Sequence, residues 1–148
     1  MLLHDLAGRI ASHRATDAVL FEHVGAWVTS TPNAALKPLL AAWAGHHGEH
    51  LDLWAERFPA VPGFDVEAAT RDERERLAAA EQHLAGATSD RERLTAALDL
   101  LQRLESACAM DRAEVDPLLD APTARVLDLV LADLRADGAA ANAALALA

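Results

Sequence analysis

The sequence predicts an all-α fold: one domain, residues 1–148, built as an up-and-down bundle of four to five helices. Three observations carry that expectation. First, 35 alanines and 24 leucines stand against nine valines and isoleucines together, a balance that favours helix because β-branched side chains lose rotamer freedom there. Second, apolar residues recur at three- and four-residue steps over long windows, the spacing of one helix face. Third, these runs are separated by breaks rich in proline and glycine. A chain of 148 residues is long enough to bury a core without disulfide staples.

Leu3, Leu6, Ile10, His13, Asp17, Leu20, Val24 and Trp27 form the first stripe and predict a helix over 3–29, stopped by the run TSTPN. Thr31 before Pro32 reads as an N-cap with proline in the first turn. Leu36, Leu40, Trp43, His47, His50, Leu51 and Trp54 then carry a second helix over 33–57. The run FPAVPGFDV is held extended by its prolines, and a linker over 58–67 reaches about 33 Å, the length of a helix of about 22 residues. It can cross the bundle or lead into a side helix. Thr70 and Glu73 have capping-box spacing and open a third helix on which only Leu77, Ala80 and Leu84 form a stripe, so it is expected to be peripheral and to end at Gly86. Ser89 and Glu92 repeat the capping pattern, and Leu94, Leu98, Leu101, Glu105 and Cys108 mark a fourth helix over 90–113. After VDPLLDAP, Val126, Val130, Leu134 and Ala141 give a fifth over 122–146.

Charge and hydropathy exclude several classes. A net charge of −10 without a basic patch argues against nucleic acid, whose binding needs clustered Lys and Arg. No window approaches the roughly 18 apolar residues of a membrane span, and the amino-terminal stretch is too polar for a signal peptide, so a cytoplasmic protein is expected. The single Cys108 makes no internal disulfide and reads as a small buried hydrophobe.

The informative residues are polar ones on apolar stripes. His13 and Asp17 lie on the core face of the first helix, His47 and His50 on that of the second, with His46 at its edge; Glu49 and Asp52 point away to solvent. If the two helices pack antiparallel about a turn near 31–32, Asp17 meets His46 or His47 and His13 meets His50, so the four gather at one level. The same construction for the last two helices puts Glu105 near Val130, about one turn from Asp133, with Asp137 a turn further on. Glu22 and His23 lie off the stripe. A buried ionisable group must be paired or bonded, and this set can be so in several ways: a local His13–Asp17 ion pair, core histidines bonded to neighbours, or a site. Trp27, Trp43 and Trp54 read as core.

The segments VLFEHVGAWV, LLAAWAGHHGEHLDLWAERFP and APTARVLDLVLADL are similar to segments of small actinobacterial proteins of the ferritin-like helical-bundle class. That resemblance implies a ferritin-like bundle and a setting in bacterial biosynthetic metabolism. Ferritin-like di-iron proteins carry one Glu on each of two helices and Glu-x-x-His on each of the others. This sequence has no Glu-x-x-His; it offers His46-x-x-Glu49, His47-x-x-His50 and Asp133-x-x-x-Asp137. The resemblance therefore implies a degenerate site, a polar pocket for small-molecule chemistry or binding. Two mechanisms stand open. One is a single iron or zinc ion on His47, His50 and Asp17. The other is metal-free acid–base chemistry, with His47 or His50 as general base, Asp17 orienting it, His13 as second acid or ligand and Glu105 as a more distant carboxylate. The competing class is a non-catalytic subunit that forms a homodimer or supports a heteromeric partner.

Overall fold

The structure is a computed structural model that describes residues 2–147, and among them 83% are helical with no strand. There are six helices rather than the expected four to five: α1 (Leu3–Ser30), α2 (Lys37–Arg57), α3 (Val66–Arg76), α4 (Ala78–Gly86), α5 (Asp90–Glu114) and α6 (Ala121–Leu147). The expected third helix is two, broken at Leu77, and it starts earlier than its Thr70–Glu73 pattern suggests. Asp65 is the real N-cap, accepting from the Ala68 amide, while Thr70 lies inside the helix with its hydroxyl donated to the Val66 carbonyl. The Ser89–Glu92 capping box is present as read.

α2 begins at Lys37, four residues later than its stripe suggests. The cause is Pro38, which lacks an N–H and clashes in a helix interior but fits the first turn. A helix opened at residue 33 would trap it inside. Residues 33–36 instead make a turn in which the Asn33 side chain accepts from the Ala35 amide. The midpoint between α1 and α2 therefore moves to between residues 33 and 34, and the antiparallel register moves with it.

Four long helices make the bundle. α1 is antiparallel to α2, with Gly25 against Ala44 and Asp17 against His50. α1 is also antiparallel to α5, with Thr31 bonded to Arg93 at one end and His13 to Asp111 at the other. α6 runs antiparallel to α2 through His46–Asp137 and His50–Asp133, and antiparallel to α5 through Arg112–Asp128 and Glu105–Arg135. α2 and α5 thus point the same way, so the chain must be carried back between them. α3 and α4 do this, running parallel to α1 along its outside: Arg14 reaches Glu67, Glu22 reaches Arg74 and His23 reaches Glu81. As expected of a peripheral element, α3 buries no residue and α4 only Leu84. The core between the long helices is Ile10, Leu20, Val24, Leu40, Trp43, Trp54, Leu94, Leu101, Leu127, Val130 and Leu134. Among the described residues no helix is long and apolar enough to cross a membrane.

Candidate metal centre

In the middle of this core α1 contributes one carboxylate and α2 two imidazoles. His47, His50 and Trp54 are spaced three and four apart, so they share one face of α2. That face meets Asp17. One carboxylate oxygen, Oδ1, accepts from His47 Nδ1 at 2.6 Å and His50 Nδ1 at 3.1 Å; the other, Oδ2, accepts from Trp54 Nε1 at 2.7 Å. The side chains of Asp17, His47 and His50 are all 0% exposed. Such burial by itself raises a carboxyl pKa, yet the bonds from His47 and His50 outweigh it and hold Asp17 below its usual 3.8. Asp17 is an anion with no contact to water.

His50 is held from both sides. Its Nδ1 faces Asp17, and its Nε2 meets Asp133 Oδ2 of α6 at 3.0 Å. Burial pushes its pKa down, but the bonds to Asp17 and Asp133 prevail and raise it above the usual 6.5. Two carboxylates at its two nitrogens favour the imidazolium, which donates from both. His47 differs. Its Nδ1 serves Asp17, but its Nε2 is buried with no hydrogen-bond partner among the described residues, as is Trp43 Nε1, whose ring lies 6.4 Å from that of His47.

Asp17, His47 and His50 each offer a ligand atom, and these atoms lie within 4.8 Å of one another. Two imidazoles and one carboxylate suit a single borderline ion such as iron(II) or zinc with positions left open. The outer partners also fit: a ligand histidine normally gives its second nitrogen to a carboxylate, and ligand carboxylates are themselves hydrogen-bonded. Asp133 on His50 and Trp54 on Asp17 supply both. Two ions do not fit. Among the described residues Asp17 is the only carboxylate in the cluster, and Asp133 is engaged with the far nitrogen of His50. Cys108 adds no thiolate, since burial and then the charges of Asp17 and Asp111 push its thiol up and keep it protonated.

Of the residues singled out from sequence, Asp17, His47 and His50 come together. His13 does not join them as expected opposite His50, and it forms no local pair with Asp17. The shifted start of α2 brings Trp54 opposite it, ring centroids 5.1 Å apart, and its Nε2 meets Asp111 Oδ2 of α5 at 2.6 Å. Asp111 also binds Arg9, which reaches Glu114. Burial raises the Asp111 pKa, but His13 and Arg9 bring it below normal. Glu105 is a correction: it stands on the flank of α5 and pairs with Arg135 at 3.3 Å, outside the cluster, because the stripe of α5 turns its carboxylate toward solvent. His46, at the edge of its stripe, bonds Asp137 at 2.9 Å. Glu49 and Asp52 are exposed and the three tryptophans buried, as read. Asp111 was missed although a signal existed: it follows Leu101, Leu104 and Cys108 on the α5 stripe, a carboxylate where an apolar residue belongs. Trp54 read as core, and nothing in sequence announced its N–H as a partner of Asp17.

An open groove of about 610 Å³ lined by Gln82, His83, Arg91 and Thr95, and another of about 470 Å³ lined by Arg57, Glu114 and Leu119, contain none of the cluster residues. Compared with known protein families, curated proteins and solved structures, the chain finds no match.

Proposed function

We propose that this chain is a degenerate ferritin-like bundle that binds one transition-metal ion, iron(II) or zinc, on His47, His50 and Asp17. The observation that carries the reading is the convergence of three fully buried donor atoms from two helices within 4.8 Å. The return of the chain along α3 and α4 supports the ferritin-like part, since bundles of that kind carry one long crossover. A bound ion would supply Lewis acidity, and iron redox chemistry as well, to a molecule small enough to enter the sealed core. The chain's own residues do the rest. Asp133 fixes the orientation of His50, Trp54 fixes that of Asp17, and the surrounding indoles keep bulk water out. Acid–base work on an external substrate has less support, because the general-base candidates His47 and His50 are 0% exposed.

A second reading is the non-catalytic partner subunit, in which the same network only fixes helix register. It is favoured by Leu118 and Leu119, which stand 90% and 88% exposed on the α5–α6 turn, the kind of apolar surface that marks an interaction site. Metal analysis of the purified chain, followed by stripping and titration with Zn²⁺ and Fe²⁺, separates the two. One equivalent is expected, lost in His47→Ala and kept in His23→Ala. Two equivalents overturn the single-ion reading, and none leaves the partner subunit.

A further inference from the structure

A buried ion needs a way in, and the exposure of the groups around the ligands marks one. On the α1 side the ligand set is closed by Trp54, 0% exposed, and behind it by the His13–Asp111 pair, where the Arg9 guanidinium bonds Asp111 and repels cations. The His47 side is closed by Trp43, 1% exposed. Among the described residues only one group bonded to a ligand reaches solvent: Asp133, whose side chain is 35% exposed. One helical turn further along the same antiparallel seam, His46 bonds Asp137 through Nδ1 to both carboxylate oxygens, at 2.9 and 3.0 Å, and its side chain is 34% exposed. α2 thus presents histidines at 46 and 50 to aspartates at 137 and 133 of α6 in two successive rungs, each with one half-exposed member, His46 and Asp133, and one buried member, Asp137 and His50. The nearest cation on α6, Arg135, is turned to α5 and paired with Glu105.

We propose that a divalent cation reaches the buried ligands through the α2–α6 seam, captured first by Asp133 and the His46–Asp137 pair and passed inward past His50. Carboxylate and imidazole together hold a partly hydrated Zn²⁺ or Fe²⁺, and the anionic rim of the seam concentrates cations from solution. The inference rests on the single-ion reading above, and its test is kinetic where that reading's is stoichiometric.

The test is stopped-flow uptake of Co²⁺ by the stripped chain, with the absorption spectrum of the bound ion reporting the ligand set. His46→Gln, which removes a capturing nitrogen, and Asp137→Asn, which removes a rim charge, should each bind one equivalent with an unchanged spectrum but take it up about tenfold more slowly. Asp133→Asn should slow uptake and also weaken binding, because it supports a ligand. Arg9→Gln, at the opposite end, should change nothing. Far-UV circular dichroism confirms that each variant folds, and the half-exposed His46 is the site most tolerant of change. Uptake in His46→Gln and Asp137→Asn at the wild-type rate, or faster uptake in Arg9→Gln, overturns the seam route while leaving the buried site standing. A wild-type chain that binds no Co²⁺ overturns both.

Discussion

Replacing Asp17 by alanine removes in one step the acceptor of three buried donors, His47 Nδ1, His50 Nδ1 and Trp54 Nε1. Leaving a buried polar group unpaired costs about 1–3 kcal/mol. Three of them set an upper range of about 3–9 kcal/mol by the same rule, and His50 recovers part of it through its remaining bond to Asp133. Removing one partner of a buried ion pair costs about 3–5 kcal/mol. We therefore expect a loss of about 4 kcal/mol, a large part of the roughly 5–15 kcal/mol that holds a native domain together. Urea unfolding of the metal-free protein, followed by far-UV circular dichroism, measures it. With a slope of about 2 kcal/mol per molar for a domain of this size, the midpoint should fall by about 2 M. A replacement of all three, Asp17→Leu with His47→Leu and His50→Leu, should cost less than Asp17→Ala alone, since no fully buried charge is then left without its counterpart: Asp133, which loses His50, is 35% exposed and can turn to solvent, and only the Trp54 N–H stays buried and unpaired. A loss below about 1 kcal/mol in Asp17→Ala would refute the argument that this network is dry and mutually dependent.

The stability of the metal-free chain should depend on pH from both sides. Asp17 and Asp111 are held below their usual 3.8, so their contribution is complete above that value and is lost as pH falls through their lowered values; His50 is raised above 6.5, so its contribution is complete below 6.5 and is lost as pH rises through the raised value. Thermal melts should therefore give the highest Tm between about pH 4 and 6.5, and a Tm that climbs from pH 6 to 8 contradicts the assignment. Gly45 lies inside α2, where an added Cβ would meet nothing within 4 Å, so Gly45→Ala should stabilise by about 0.5–1 kcal/mol and raise Tm by about 1–4 °C. Glu105→Gln breaks only a pair whose side chains are 31% and 62% exposed; unfolding midpoints should move by less than about 0.5 kcal/mol, with metal content unchanged.

The all-helical class and the stripes of the four long helices were legible in the sequence, because both are local properties. Alanine and leucine bias the backbone toward helix, a core face repeats every 3.6 residues, and a capping box such as Ser89–Glu92 lies within four residues of itself. Even the meeting of Asp17 with His47 follows from a stripe on each helix and one short turn. What the sequence left open is what depends on distance along the chain. Placing the start of α2 at Lys37 took the weight of Pro38 against the Thr31–Pro32 pattern, and that choice moved the register by about one turn, giving His50 to Asp17 and Trp54 to His13. The linker's two possible courses were resolved by α3 and α4 folding back along α1, held there largely through polar links such as Arg14–Glu67, Glu22–Arg74 and His23–Glu81, which leave no hydrophobic period to read. Asp111 finds His13 from 98 residues away and Asp133 finds His50 from 83. No periodicity within one helix encodes such pairs, since they exist only after four helices have been packed in a particular order and direction; that packing also decided that Glu105 faces Arg135 and solvent instead of the buried histidines.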